Sequence, residues 1–163
     1  MENLKDNCFI SFGMGNGKTL LCVAIAIIFA KLRKIPVFII GKNAHLVLRD
    51  SKKFEQLILS MGLKTNTNQY SREPGVYYYT QKDLETASSN GEFSKVWRQS
   101  VAVLDENDCL MFEGTVEQMA KMMKLFRQPS SVVGLAGSTM SNKELGCLMK
   151  VFLASPIKFP TLA

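Results

Sequence analysis

Residues 8–21 read CFISFGMGNGKTLL, an apolar run followed by a glycine-rich loop and then by the start of a longer apolar segment. These three parts predict a strand, a loop and a helix in that order. Glycine allows backbone conformations that other residues avoid, so successive N–H groups of the loop can converge on one anion at the helix N-terminus. The stretch therefore predicts a phosphate-binding loop that leads into a helix.

Two side chains at the end of this loop suit a nucleoside triphosphate bound with Mg²⁺. Lys18 is placed to reach the β- and γ-phosphates during catalysis, and Thr19 is placed to ligate the metal. The usual pattern begins with a glycine, and Phe12 stands at that position. The alternative is an accidental glycine turn that caps a helix. The predicted nucleotide-binding residues of the loop are Gly13, Met14, Gly15, Asn16, Gly17, Lys18 and Thr19.

An acidic pair follows a second apolar strand, predicted at Val101–Leu104. Proteins with such loops anchor Mg²⁺ through a carboxylate at a strand end, and Asp105 supplies one. Glu106 is then the predicted catalytic residue that orients or activates the attacking water, because an adjacent Asp-Glu pair points to hydrolysis. Asn107 and Asp108 extend the same turn. The alternative is a solvated acidic turn after a strand.

Small hydroxylic residues follow a third apolar strand, predicted at Val132–Ala136. Ligands of open parallel sheets gather at the carboxyl ends of the strands. Ser138 and Thr139 are therefore candidates to reach the γ-phosphate or the Asp105 loop. A simple turn and helix cap is an equally good interpretation of Gly-Ser-Thr at this place.

Short apolar runs alternate with segments of helical spacing along the whole chain, which predicts a three-layer α/β domain with a mostly parallel sheet. Polar, turn-rich surface loops are expected at Asn66–Gly75 and Ser88–Gly91. The predicted strands are Cys8–Phe12, Pro36–Ile40, Gly75–Tyr79, Val101–Leu104, Val132–Ala136 and Val151–Lys158. The predicted helices are Lys18–Leu32, Ala44–Met61, a break-prone Gln81–Val96, Thr115–Phe126 and Asn142–Met149.

The composition is that of one globular domain of 163 residues with a net charge of +6. The positive charge favours an anionic partner such as nucleotide, nucleic acid, acidic lipid or an acidic protein face. The longest apolar run, Leu20–Ala30, is too short to span a bilayer and predicts a buried helix. The four cysteines form no C-x-x-C pair, which favours a reducing cytoplasmic location over a zinc or disulfide framework.

In sequence order, the segments resemble the first nucleotide-binding domain of the SecA preprotein-translocase family and, more broadly, the first RecA-like domain of DEAD-type superfamily-two helicases. Gly15–Thr19 is similar to G-E-G-K-T, which also lacks the leading glycine. Asn43–Asp50 is similar to N-D-Y-L-A-x-R-D, although helix capping and surface exposure would also suit these residues. Asp105–Asp108 resembles the Walker B sequence D-E-V-D, and Leu135–Thr139 resembles L-A-G-M-T of motif III.

The resemblance implies a RecA-like P-loop domain over residues 1–163 that binds ATP and Mg²⁺, cytoplasmic or peripheral at a membrane. It implies a polypeptide substrate or translocon as partner and a second RecA-like domain, in cis or in trans, that supplies an arginine finger. The interval between Asp108 and Leu135 is too short for the family's preprotein-crosslinking domain. We therefore expect a fragment or truncated form of a motor ATPase, with weak hydrolysis in isolation.

Three other functions fit parts of the pattern. The first is the RecA domain of an RNA or DNA helicase, which the positive charge favours and which predicts salt-dependent nucleic-acid binding. The second is a small-molecule kinase, although an Asp-Glu pair suits water better than a phosphoryl acceptor. The third is a nucleotide-binding scaffold without turnover that docks a partner through the sheet edge or the Met119–Met123 helix. Core filling is the commoner role of such methionines.

Overall fold

A central parallel sheet organises the chain, for which a computed structural model describes residues 7–11, 17–106, 114–136 and 157–158. The sheet has seven strands in the order β3-β4-β2-β5-β6-β1-β7, and every described pair is parallel. The strands are β1 Asn7–Ser11, β2 Pro36–Gly41, β3 Lys64–Thr67, β4 Gly75–Thr80, β5 Val101–Asp105, β6 Ser131–Ala136 and β7 Ile157–Lys158.

Helices cover both faces of this sheet. The helices are α1 Lys18–Arg33, α2 Ala44–Ser60, α3 Gln81–Ala87, α4 Gly91–Gln99 and α5 Val116–Phe126. One hydrophobic core joins α1 and α2 to one face, and a second core joins α3, α4 and α5 to the other. Successive side chains of a strand point to opposite faces. Because both faces are covered, the central strands are continuous apolar runs, as in parallel sheets generally.

Aromatic side chains dominate the core beneath α3, α4 and α5. Trp97 is fully buried and stacks on Phe93, with ring centroids 6.1 Å apart. Its indole N–H donates a hydrogen bond of 2.9 Å to the carbonyl oxygen of Leu125, which ties α4 to the end of α5. The Phe38 ring of β2 meets Trp97 edge-on at 5.5 Å. Ala102 and Leu104 of β5 belong to the same core, so these aromatic rings support the face of β5 that α4 and α5 cover.

The three-layer α/β architecture with a parallel sheet is confirmed. Most described elements begin and end within a few residues of their predicted boundaries. One prediction is wrong at Lys64–Thr67, which is the edge strand β3 and overlaps the loop predicted at Asn66–Gly75. Its residues are polar because only one edge pairs and its side chains are exposed or half-buried. The stretch Gln81–Val96 is interrupted, as its break-prone character suggested, and forms α3 and α4.

Two predicted elements reach beyond the described residues. The helix predicted at Asn142–Met149 lies outside them, and the strand predicted at Val151–Lys158 is described only at Ile157–Lys158. No described helix combines the length and the hydropathy that crossing a bilayer requires. The apolar run Leu20–Ala30 is part of α1, and its inward side packs against β2 and β5.

Parallel pairing brings the carboxyl ends of the strands to one edge of the sheet. In that edge β6 lies between β1 and β5, so Ile10, Leu135 and Asp105 stand side by side in one row. The glycine-rich loop follows β1, the acidic pair lies at the end of β5, and Gly137 follows β6. The topology therefore brings together the ends of the three strands that the predicted motifs follow, at the edge where open parallel sheets bind ligands.

Candidate nucleotide-binding site

The N-terminus of α1 begins at a glycine. Gly17 is its N-cap residue and has φ 74°, a left-handed conformation that glycine adopts without strain. Among the described residues no side chain caps this end, and its first turn contains no acidic residue. The other described helices all have a side-chain cap, from Asn43, Thr80, Asn90 and Thr115. The first N–H groups and the positive end of the helix dipole are thus available at α1.

Lys18 and the acidic pair meet at this edge. The Lys18 ammonium nitrogen lies 3.5 Å from Asp105 Oδ1 and 3.6 Å from Glu106 Oε1. The Lys18 side chain extends from the first turn of α1, while Asp105 ends β5 and Glu106 follows it. Helix α1 and the end of β5 thereby hold the Lys18 ammonium close to the carboxylates of Asp105 and Glu106. This cluster joins two of the three motifs found in the sequence.

Asp105 is a partly buried carboxylate. Its side chain is only 24% exposed, and its Oδ1 atom is shielded from solvent and has no hydrogen-bond partner among the described residues. Its contact with the Lys18 ammonium, at 3.5 Å, is an ion pair. Burial raises the pKa of the Asp105 carboxyl, and the nearby Lys18 charge only partly opposes that rise. A bound cation would stabilise the carboxylate, so the residue fits the role of a metal anchor.

Glu106 has an unusual backbone conformation. Its φ of 54° lies in the left-handed region, which costs a residue with a Cβ roughly 1–2 kcal/mol. Strain of this kind is often found at functional sites, where it aims a side chain. Here the conformation turns the chain immediately after β5 and leaves the carboxylate beside Lys18.

Several predicted residues lie outside the described part of the chain. These are Gly13, Met14, Gly15 and Asn16 of the loop, Asn107 and Asp108 after the acidic pair, and Ser138 and Thr139 after β6. The described part of the loop is Gly17 with Lys18 and Thr19, the latter two in the first turn of α1. Nucleotide and Mg²⁺ binding by all of these residues stays a prediction.

The segment Asn43–Asp50 has structural roles. Asn43 Oδ1 accepts hydrogen bonds from the backbone N–H groups of His45 and Leu46, at 2.9 and 3.2 Å, and so caps α2. Arg49 donates to Asp50 Oδ1 through Nε at 2.9 Å and pairs through Nη2 at 2.8 Å. Asp50 is buried on the inner side of α2. The resemblance at these positions therefore coincides with a helix cap and a local ion pair.

Sequence reasoning missed a polar cluster next to Asp105. Tyr78 is buried in β4, and burial together with the charges of Asp50, Cys22 and Asp105 raises the pKa of its hydroxyl. Cys22, on the inner side of α1, is also buried, and its thiol pKa is raised for the same leading reason. The three consecutive tyrosines Tyr77–Tyr79 do not by themselves predict this polar cluster. Only the strand register shows that the Tyr78 ring lies on the same face as Asp105.

The described residues contain no group of three or more His, Cys, Asp or Glu side chains arranged to hold a metal ion. The predicted metal site uses one carboxylate and one hydroxyl. Mg²⁺ commonly takes one or two protein ligands and completes its octahedron with water and substrate phosphates. Thr19 lies in the first turn of α1 and Asp105 ends β5, and metal binding by both stays a prediction.

Comparison with known proteins bears on the fold. The structure is similar to the crystal structure of the Pyrococcus furiosus Hef helicase domain, with a TM-score of 0.67 and 22% sequence identity. The similarity covers 98% of this chain and 35% of that one, so the chain spans about a third of its length. The chain has a RecA-like fold. No protein-family profile matches the sequence, and no curated protein matches it. This similarity supports a RecA-like fold and gives no specific support to the SecA family.

Proposed function

We propose that this chain binds ATP with Mg²⁺ as the first RecA-like domain of a superfamily-two helicase-type motor. The observation that carries the proposal is the Lys18 ammonium, which stands 3.5 Å from Asp105 and 3.6 Å from Glu106 at the uncapped N-terminus of α1. A glycine loop, a lysine and two carboxylates at the carboxyl edge of a parallel sheet are the parts that triphosphate hydrolysis uses. The RecA-like fold supports the same assignment.

Each described residue has a separate role in the proposed site. Lys18 binds the β- and γ-phosphates, and the first N–H groups of α1 bind the same anion. Thr19 and Asp105 hold Mg²⁺, which when bound neutralises developing phosphate charge. Glu106 orients the attacking water and accepts its proton. Full turnover requires a second RecA-like domain, in cis or in trans, because an arginine from such a domain accelerates hydrolysis by roughly 10³–10⁵ where it acts.

A nucleic acid is the polymer we favour as partner. The structural similarity is to a protein described as a helicase domain, and the net charge of +6 suits a phosphate backbone. SecA-like movement of a polypeptide at a translocon is the second candidate, and it rests on the motif resemblance. The structural roles of Asn43 and Asp50 account for part of that resemblance without any shared activity.

A fluorescent ATP analogue tests the nucleotide half of the proposal. Lys18→Ala should weaken Mg²⁺-dependent binding by about 10-fold to 150-fold, since a hydrogen bond to a charged group is worth about 1.5–3 kcal/mol. Lys31→Ala is the matched control, because Lys31 lies at the opposite end of α1 and donates to the carbonyl oxygen of Met61. Equal affinity of the parent and Lys18→Ala would refute the assignment of the site.

Fluorescence anisotropy with labelled single-stranded RNA and DNA tests the polymer half. We expect an affinity that falls linearly with the logarithm of salt concentration, because lysine–phosphate contacts release counterions. A permanently unfolded polypeptide of matched length serves as the competing ligand. Binding of that polypeptide, with no salt-dependent binding of either nucleic acid, would overturn the helicase assignment in favour of the SecA-like one.

A further inference from the structure

A small cavity lies beside Asp105. Described residues that line it include Gly41, Asp50, Tyr78, Asp105 and Glu106. Gly17, Lys18 and Thr19 are not among them, so the cavity is separate from the described part of the loop. The volume open to water is about 20 Å³. Roughly 10–15 Å³ on that measure is enough for one water molecule.

Two of the residues that line this cavity each have a buried polar atom with no hydrogen-bond partner in the described part of the chain. These atoms are the hydroxyl oxygen of Tyr78 and Oδ1 of Asp105, and among the described residues no other buried side-chain nitrogen or oxygen shares this property. Tyr78 is 2% exposed, so bulk solvent does not reach its hydroxyl. An unsatisfied buried polar atom costs about 1–3 kcal/mol, and native proteins seldom tolerate one without water or an ion.

The strand register explains why these two atoms share one cavity. Tyr78 of β4 aligns with Ile39 of β2, which aligns with Val103 of β5, and all three belong to the core on the α1 side. Asp105 lies two residues beyond Val103 and therefore points to the same face. Gly41, two residues beyond Ile39, also lines the cavity, and Cγ2 of Val47 packs against it.

The groups around the cavity settle which atom donates. Burial, followed by the negative charge of Asp50, raises the pKa of the Tyr78 hydroxyl, so the phenol keeps its proton and acts as a donor. Asp105 Oδ1, which lies 3.5 Å from the Lys18 ammonium, takes the acceptor role. Asp50 is held by Arg49 at 2.8 Å. A water molecule between Tyr78 and Asp105 would have one donor and one acceptor to satisfy, within the usual two to four partners.

We propose that one ordered water occupies this cavity, accepts a hydrogen bond from the Tyr78 hydroxyl and donates one to Asp105 Oδ1. Tyr78 is then a positioning residue that acts through the water and fixes the rotamer of the carboxylate. The part of the inference that concerns Mg²⁺ rests on the proposed function. The water itself follows from the cavity and its two unpartnered atoms alone. Outer partners of metal ligands commonly change metal affinity by 10-fold to 100-fold when removed.

A crystal structure of the parent chain at a resolution that shows ordered water tests the first part. We expect density about 2.7–3.2 Å from both the Tyr78 hydroxyl and Asp105 Oδ1. A direct hydrogen bond between those two atoms, or an empty cavity, would overturn the water. This measurement needs no nucleotide, so its result is independent of whether the chain binds one.

Tyr78→Phe tests the positioning role, and Tyr79→Phe is its matched control, because Tyr79 is equally buried in the same strand and belongs to the core on the opposite face. Tyr78→Phe should weaken nucleotide binding about 10-fold in the presence of Mg²⁺ and leave binding in EDTA unchanged, whereas Tyr79→Phe should change neither. Equal Mg²⁺-dependent affinity of the two variants would overturn the positioning role. A parent chain that binds no nucleotide would instead refute the proposed function, and the water would still be judged by the crystal structure.

Discussion

Gly41→Ala gives a sharp test of how α2 packs on the carboxyl edge of the sheet. A Cβ built on Gly41 lies 2.6 Å from Cγ2 of Val47, closer than real Cβ contacts come. Val47 is only 6% exposed, and a β-branched side chain in a helix has one strongly preferred rotamer, so it cannot swing aside freely. Overpacking of this kind costs about 1–3 kcal/mol. Alanine also lowers the conformational entropy of the unfolded chain, which offsets about 0.4–1 kcal/mol of that cost. We expect a net loss of about 1.3 kcal/mol, within a range of about 0–2.6 kcal/mol.

Gly91→Ala is the matched control, with the opposite expected sign. Gly91 is the first residue of α4, and a Cβ there meets nothing within 4 Å. The same glycine-to-alanine change should therefore stabilise the protein by about 0.4–1 kcal/mol through the unfolded state. The Val47→Ala background isolates the contact, because Gly41→Ala should cost less once the Val47 methyl groups are absent.

Urea denaturation followed by circular dichroism and by the fluorescence of Trp97 measures these free energies. Trp97 is fully buried, so its emission reports unfolding. Equal stability of Gly41→Ala and Gly91→Ala would refute the clash with Val47, and so would an equal cost of Gly41→Ala in the parent and in Val47→Ala.

Three further predictions concern the site and its supports. Glu106→Gln should retain Mg·ATP binding and reduce hydrolysis about 10²-fold or more, since it removes only the proton acceptor; unchanged single-turnover rates would contradict this. Asn43→Ala should lower the free energy of unfolding by about 1 kcal/mol through loss of the α2 cap, and Asn43→Asp should not, as urea titrations would show. Stability should fall as pH rises above about 10. Burial raises the pKa of the hydroxyls of Tyr77, Tyr78 and Tyr79, to about 12 for Tyr79. Above about pH 10 the folded state therefore keeps protons that the unfolded state has lost, which favours unfolding. Urea midpoints at pH 9 and 11 check the sign, and equal midpoints would contradict it.

The motif-bearing elements could be predicted because their chemistry and their hydrophobic pattern agree. The strand at Asn7–Ser11, the glycine loop and α1 follow one another with unambiguous signals, and Val101–Asp105 is a fully apolar run that ends in a carboxylate. The meeting of Lys18 with Asp105 follows from the rule that parallel strands share a carboxyl edge. The fold class and the meeting of Lys18 with Asp105 could therefore be predicted from the sequence.

The remainder depends on tertiary pairing that local patterns do not encode. The strand Lys64–Thr67 reads K-T-N-T and carries no hydrophobic signal, because it is held by backbone bonds at one edge of the sheet. The insertion of β6 between β1 and β5 is a property of strand order, which connection lengths leave open. The Tyr78 cavity depends on the register of three strands, β4, β2 and β5, at the same time.

A crystal structure of the chain with Mg²⁺ and a non-hydrolysable ATP analogue tests the central claim most directly. We predict the β- and γ-phosphates at the N-terminus of α1, with the Lys18 ammonium about 3 Å from their oxygens and Mg²⁺ near Thr19 and Asp105. Lys18 would then have exchanged its contacts with Asp105 and Glu106 for contacts with the phosphates. Phosphates bound elsewhere on the chain, or no nucleotide at saturating concentration, would contradict the account.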